Sequence, residues 1–307
     1  MPHNRAVALA LAAVLASAGC AGPGGSGEPV VVTETVATVT GAPVQGGVGA
    51  PAEFAETPPV VPSATGGPTP APSADVVDAE LATVVAPISL PAGVAVAPVG
   101  DHGGVTAAGT WQTGVAWSTI KVPLAVAVAR SDPQLLEWSA SAITTSDNQA
   151  AESLWSALGG GQSAASTLMA VLAEGGDTVS QVPSVPIRAG YSIFGQTRWS
   201  LVDQARFAAG LPCLEGSARV VDLMAQISSD QRWGLGGIPG ARFKGGWGPG
   251  DDGEYLVRQF GVVPGAGGDL AVAMAVEAPT FEAGAAALTT MADRLAPMMP
   301  GLTGGAC

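Results

Sequence analysis

Apolar residues in DVVDAELATVV recur at helical spacing, at Val76, Val77, Leu81 and Val84, and predict a first helix from about Asp75. GVAVAPVG, punctuated by Pro91, Gly93 and Gly100, reads as a strand. A second short strand fits VTAAGTWQT, residues 105–113. The run AWSTIKVPLAVAVAR, residues 116–130, is apolar almost throughout and predicts a buried helix. From about Asp132 to Ile227, apolar helical stretches alternate with Gly and Pro breaks. The period then shortens: ARFKGG, EYLVRQFGVV and DLAVAMAV read as three strands separated by Gly, Pro and Asp turns. Leu288, Met291, Leu295 and Met298, spaced 3, 4 and 3, mark the core face of a final helix. Strands therefore flank a helical middle. The fold class is α/β, with a mostly antiparallel sheet closed by terminal helices.

The first residues follow another pattern. MPHNR is a short basic start, and AVALALAAVLASAG is a 14-residue apolar run too short to anchor stably in a bilayer. Residues 1–19 thus read as an export signal. Ser17-Ala18-Gly19-Cys20 resembles a bacterial lipoprotein cleavage site, with Ser17 where that pattern usually has Leu. Lipidation of Cys20 is the expectation; an ordinary cleaved signal with an incidental cysteine is the alternative. GPGGSGEP, GAPVQGGVGAPAE and TGGPTPAPSA make residues 20–74 a Pro/Gly-rich tether. Residues 75–307 are the folded domain. The expected setting is extracytoplasmic, held to the membrane by the lipid, and the expected state is a monomer.

Composition narrows the partners. Of 307 residues, 47% are hydrophobic and 12% charged, and the net charge of −13 repels phosphate backbones, which excludes nucleic acid. There are three cysteines. If Cys20 carries lipid, Cys213 and Cys307 form an even pair in an oxidising compartment, and a bridge would tie down Cys307. Two unpaired buried thiols are the alternative. Neither a cofactor nor a metal is expected.

Lys121 stands out against this background. It is the first lysine or arginine after Arg5, and it sits among Ile120, Val122, Leu124 and Val126. On a helix, Ser118 and Lys121 share a face. Burial disfavours the ammonium, and a neutral lysine can take a proton from a hydroxyl, activating an otherwise weak serine nucleophile. Histidine offers little competition: His3 lies in the signal, and a Ser-His-Asp triad would need His102, in a Gly-rich turn. Taken alone, Ser-x-x-Lys recurs by chance, and a snorkelling lysine beside an incidental serine is the plain alternative.

Two further motifs follow in order. Ser146-Asp147-Asn148 precedes an amphipathic helix, and Lys244-Gly245-Gly246 lies on an expected strand. Ser-x-x-Lys, Ser-Asp-Asn and Lys-x-Gly in this order resemble the class A β-lactamases and penicillin-binding proteins, over about residues 75–300. The resemblance implies that fold, with a reduced helical region. It implies Ser118 as nucleophile, Lys121 as its base, Ser146 as proton relay and Asn148 as holder of a substrate amide. Lys244 and Gly246 would form the substrate side, and the N–H groups of Ser118 and Trp247 the oxyanion hole. The competing readings are a helix N-cap for Ser146-Asp147-Asn148 and a bulged edge strand for Lys244-Gly245-Gly246.

Departures from the pattern matter equally. Gly245 replaces the family's hydroxyl residue, which helps to bind a substrate carboxylate. Only 28 positions separate Ser118 from Ser146, which implies a trimmed helical region and a more open cleft. TVSQVPSVPIRAGYSIFGQTRWS, where class A enzymes carry the glutamate that activates the deacylating water, has no Asp or Glu. Trp233, Trp247 and Tyr255 crowd the last motif; core or cleft wall is the plain reading, and stacking on a sugar or lining an acyl pocket the functional alternative. The expected function is an exported serine acyl-transfer hydrolase of a cell-envelope amide or ester, a peptidoglycan-type substrate among them, and not an efficient β-lactamase. The alternative is a catalytically inactive scaffold of the same fold that binds an envelope component.

Overall fold

The computed structural model describes residues 74–101 and 103–307. The export signal, Cys20, the tether up to residue 73, His3 and His102 lie outside the described residues. In chain order the elements are α1 (Ala74–Val85), β1 (Ala92–Pro98), β2 (Thr106–Gly109) and β3 (Thr113–Val115). The helical middle holds α2 (Lys121–Ser131), α3 (Leu136–Thr144), α4 (Asn148–Ala157) and α5 (Gly161–Glu174). Next come β4 (Arg198–Ser200), α6 (Leu201–Gly210) and α7 (Ala218–Met224), and the chain closes with β5 (Arg242–Pro249), β6 (Tyr255–Gly265), β7 (Gly268–Ala278) and α8 (Phe281–Leu295).

Five strands form one antiparallel sheet in the order β2-β1-β7-β6-β5. Its central strands are covered on both faces, so their sequences are largely apolar, with Arg258 and Gln259 of β6 as buried polar exceptions. Successive residues of β6 show the two faces. Val257 packs under Gly284 of α8, whereas Phe260 meets Phe207 of α6, with ring centres 6.1 Å apart. Residues Lys121 to Val128 of α2 are all buried at the centre of the helical part.

The expected strand over residues 105–113 is two strands. Trp111 and Thr110 both donate their backbone N–H to the carbonyl of Ala92, at 3.1 and 2.9 Å, which turns the chain. Beyond the turn, β3 leaves the main sheet and pairs with β4 instead. The expected helix over 116–130 opens as a tight 3-10 turn, Trp117–Ile120, before α2 begins.

Arg258 of β6 is fully buried and has no carboxylate partner among the described residues. It donates to the carbonyls of Gly114, Val115 and Trp199, and to Gln204 Oε1 at 2.7 Å. Burial lowers its pKa to about 9. Gln204 in turn donates to Thr119 Oγ1 at 3.0 Å. A chain of polar contacts thus runs from the sheet to the turn that carries Ser118. At the far end, Cys213 and Cys307 are disulfide-bonded, their Cα atoms 5.3 Å apart.

Candidate active site

Three segments converge on one cleft of about 560 Å³, lined in part by Ser118, Lys121, Asn148 and Trp247. The turn Trp117–Ile120 supplies Ser118 and feeds into α2, whose first residue is Lys121. Thr119 Oγ1 donates to Ala116 O at 2.6 Å, and Ala116 N to Thr197 O at 2.7 Å, so the turn is pinned at its base. Among the described residues, Trp117 and Ser146 are the two non-glycines with positive φ, at 50° and 59°. Each costs about 1–3 kcal/mol of backbone strain. Both are residues that line the cleft or present a hydroxyl to its lysines, and the surrounding contacts hold them there.

The second segment starts with Ser146. Asp147 caps α4, accepting from Gln149 N at 2.7 Å and Ala150 N at 3.0 Å. The N-cap reading is therefore correct for Asp147, and it coexists with the chemical one. The cap fixes the first turn of α4 and so the direction of Asn148. Lys121 Nζ, in a residue 1% exposed, donates to Ser146 O at 2.6 Å, to Asn148 Oδ1 at 2.7 Å and to Ser146 Oγ at 3.3 Å. Since an ammonium only donates, the contact fixes the Asn148 oxygen toward Lys121 and leaves its NH₂ for a ligand. Lys121 bonds to Ser146 and Asn148 rather than to Ser118 in this state. Desolvation is the main cause that lowers its pKa to about 8, against the partial support of Asp147 and Glu152.

The third segment is β5, the outer strand of the sheet, and its glycines explain themselves one by one. A Cβ on Gly246 would sit 2.8 Å from Ser118 N and 2.9 Å from Thr119 N, so only glycine lets the strand approach the serine turn. A Cβ on Gly248 would meet the Trp117 ring at 2.6–2.7 Å. A Cβ on Gly245 would meet the ring edge of Trp233 at 3.0 and 3.1 Å. A β-carbon at this position would therefore be crowded by an indole edge. Lys244 is fully buried and donates to Ser146 Oγ at 3.0 Å and Gly245 O at 2.8 Å. Burial first, then Lys121, hold its pKa well below that of an ordinary lysine.

The expected aromatic cluster divides. Trp247 and Tyr255 line the cleft. Trp233 instead supports the wall from behind, against Trp247 at 6.1 Å and Phe281 at 5.8 Å between ring centres. Trp117, Tyr191 and Glu152 are among the cleft residues that sequence reasoning missed. Glu152 lies four residues after Asn148, on the same face of α4, and that spacing was the available signal. Tyr191 comes from the acid-free loop, which Gln196 folds by accepting from Ile187 N and Arg188 N and donating to the carbonyls of Arg188, Tyr191 and Ser192. Among the described residues, no His/Cys/Asp/Glu group is arranged to hold a metal ion.

No protein-family model matches the chain, and no curated protein matches it by sequence. Solved structures do. The TLA-3 extended-spectrum beta-lactamase is 14% identical, with a TM-score of 0.57, covering 73% of this chain and 100% of its own. An ancestral class A beta-lactamase (GNCA) is 21% identical, with a TM-score of 0.54, covering 71% of this chain and 98% of its own. A beta-lactamase from Desulfarculus baarsii is 20% identical, with a TM-score of 0.52, covering 73% of this chain and 98% of its own. The chain has the serine beta-lactamase fold.

Proposed function

We propose that the protein is an exported, lipid-anchored serine hydrolase that cleaves an amide or ester of the cell envelope through an acyl-Ser118, and that it is not an efficient β-lactamase. The observation that carries this reading is the buried Lys121, with its pKa near 8, bridging Ser146 and Asn148 beside Ser118 in one cleft. Neutral Lys121 takes the Ser118 proton as Oγ bonds to the carbonyl carbon. Two backbone N–H groups, of Ser118 and Trp247, stabilise the oxyanion. Ser146, between the two lysines, passes a proton to the departing amine or alcohol. Water then releases the acid and restores Ser118.

The test is intact mass after incubation with a fluorophosphonate. A single adduct on the wild type and none on Ser118→Ala supports the enzyme. An unmodified wild type favours the second reading, a binding scaffold of the same fold, which draws its support from the Trp233 ring in the place of a substrate-binding hydroxyl.

A further inference from the structure

We infer that the cleft takes an acyl substrate bearing an ammonium group near the scissile carbonyl and refuses one bearing a carboxylate there, with Glu152 as the anchor of the cation. This rests on the acyl-Ser118 reading and names the substrate class for it.

The charges facing the cleft carry the argument. Glu152 is the one carboxylate among the described residues that line it, and Lys121 the one cation. Lys121 is 1% exposed, and its donors are engaged by Ser146 and Asn148. Lys244 is fully buried behind it. Arg188 stands beside the cleft rather than in its lining: it donates to Pro249 O at 2.6 Å, pairs with Asp251 at 3.3 Å and lies over the Tyr191 ring at 4.6 Å, with its side chain 37% exposed. Within the cleft lining, an incoming carboxylate therefore meets an acidic side chain and no accessible cation, and Gly245, crowded by an indole edge, offers it no hydroxyl.

The same wall suits a cation. Trp117, Tyr191, Trp247 and Tyr255 line the cleft with Glu152, and Trp117 and Tyr191 pack edge-on at 5.2 Å. Aromatic faces beside a carboxylate attract an ammonium through the ring quadrupole and through charge. An exposed helix glutamate is ordinarily only solvated, but this one shares the cleft with Ser118, and desolvation raises its pKa even against the pull of Lys121. The net charge of −13 favours the approach of cations over anions to the protein in addition.

The experiment compares three p-nitrophenyl esters of matched length on the full chain: a trimethylammonio-butyrate, a neutral alkanoate and a glutarate half-ester. With the Ser118→Ala background subtracted, kcat/KM for the cationic ester should exceed that for the neutral one roughly tenfold, the scale of one carboxylate contact plus an aromatic face. The glutarate should be slowest. Glu152→Gln should collapse the cationic-to-neutral ratio toward one, and Glu152→Asp should retain part of it. A glutarate as fast as the neutral ester, or a preference that survives Glu152→Gln, overturns the inference. If no ester reacts at Ser118, the acyl-enzyme reading fails, and tryptophan-fluorescence titrations decide the charge selection separately. Tighter binding of benzyltrimethylammonium than of benzenesulfonate, lost in Glu152→Gln, upholds it; equal binding overturns it.

Discussion

Lys121 and Lys244 converge on a single oxygen: their Nζ atoms lie 3.3 and 3.0 Å from Ser146 Oγ. Two like charges at one hydroxyl in a buried site oppose each other, and desolvation acts on both. The arrangement favours losing a proton: burial and the Lys121 charge hold Lys244 well below an ordinary lysine, burial lowers Lys121 to about 8, and Lys121 is the one that shares the cleft with Ser118.

Acylation should therefore be pH-dependent. Asp147 and Glu152 favour the Lys121 proton, while burial disfavours it more strongly, giving a pKa of about 8. The rate of Ser118 labelling should climb as pH rises through about 8 and level off above it. Lys121→Ala should lower the rate by about 10²–10⁴ and remove this step from the profile. Labelling that is flat from pH 6 to 10 would remove Lys121 as the base.

The same shift predicts a stability signature. A lysine whose pKa falls on folding from 10.5 to about 8 costs stability at low pH, because the unfolded chain holds the proton more tightly. That cost fades as pH rises from about 8 to 10.5. Relative to Lys121→Met, the wild type should gain up to about 3 kcal/mol across this window. Urea unfolding of both proteins at pH 7, 9 and 10.5 measures it, and parallel curves would contradict the buried, shifted ammonium.

Gly245→Thr should destabilise the fold without creating a carboxylate site, because its Cβ would stand 3.0–3.1 Å from a Trp233 ring braced by Trp247 and Phe281. Pairing it with Trp233→Ala should recover part of the loss, making the double variant more stable than the two single effects added together. Thermal melts of the four proteins give the coupling directly. Strict additivity would mean that the ring and the glycine do not share space.

Turnover of β-lactams should be slow. The loop from Thr178 to Ser200 has no Asp or Glu to activate a deacylating water, and the drug's carboxylate would face Glu152. Stopped-flow nitrocefin assays should show either no reaction or a stalled acyl-enzyme. Rapid hydrolysis abolished by Ser118→Ala would reveal a base outside this reading.

Replacing Cys213 and Cys307 by serine should lower stability by about 4–5 kcal/mol if loop-closure entropy dominates, since the bridge spans 94 positions. Denaturant midpoints of the oxidised protein and the double variant test this. Quantitative labelling of both thiols in native protein would show that the bridge is not formed.

Of the closing strands, β6 and β7 were legible as buried, largely apolar runs between turn residues, and the final helix from Leu288, Met291 and Leu295, all buried; Met298 was expected on the same helix but lies beyond α8, in the 3-10 turn Ala296–Gly301, and is only half-buried. The break at residues 110–112 was not, since it depends on two N–H groups finding the carbonyl of Ala92 on another strand. The three motifs announced Ser118, Lys121, Ser146, Asn148 and Lys244, all of which the fold gathers around one cleft and the polar cluster beneath it. Trp117 and Tyr191 escaped notice because their proximity exists only after folding. Glu152 was overlooked because a carboxylate was sought on a loop, not on α4.

The Trp233 ring against Gly245 also bears on ancestry and descent. A threonine at 245 would need the Trp233 ring to give way by a few tenths of an ångström. Threonine first meets the indole, and removal of the indole first leaves a void beneath Trp247 and Phe281. On the predicted coupling, each single change would lower stability before any gain in binding accrues. If the melts show that coupling, a gain of hydroxyl at 245 would be tied to a compensating change at 233, twelve positions earlier in the chain.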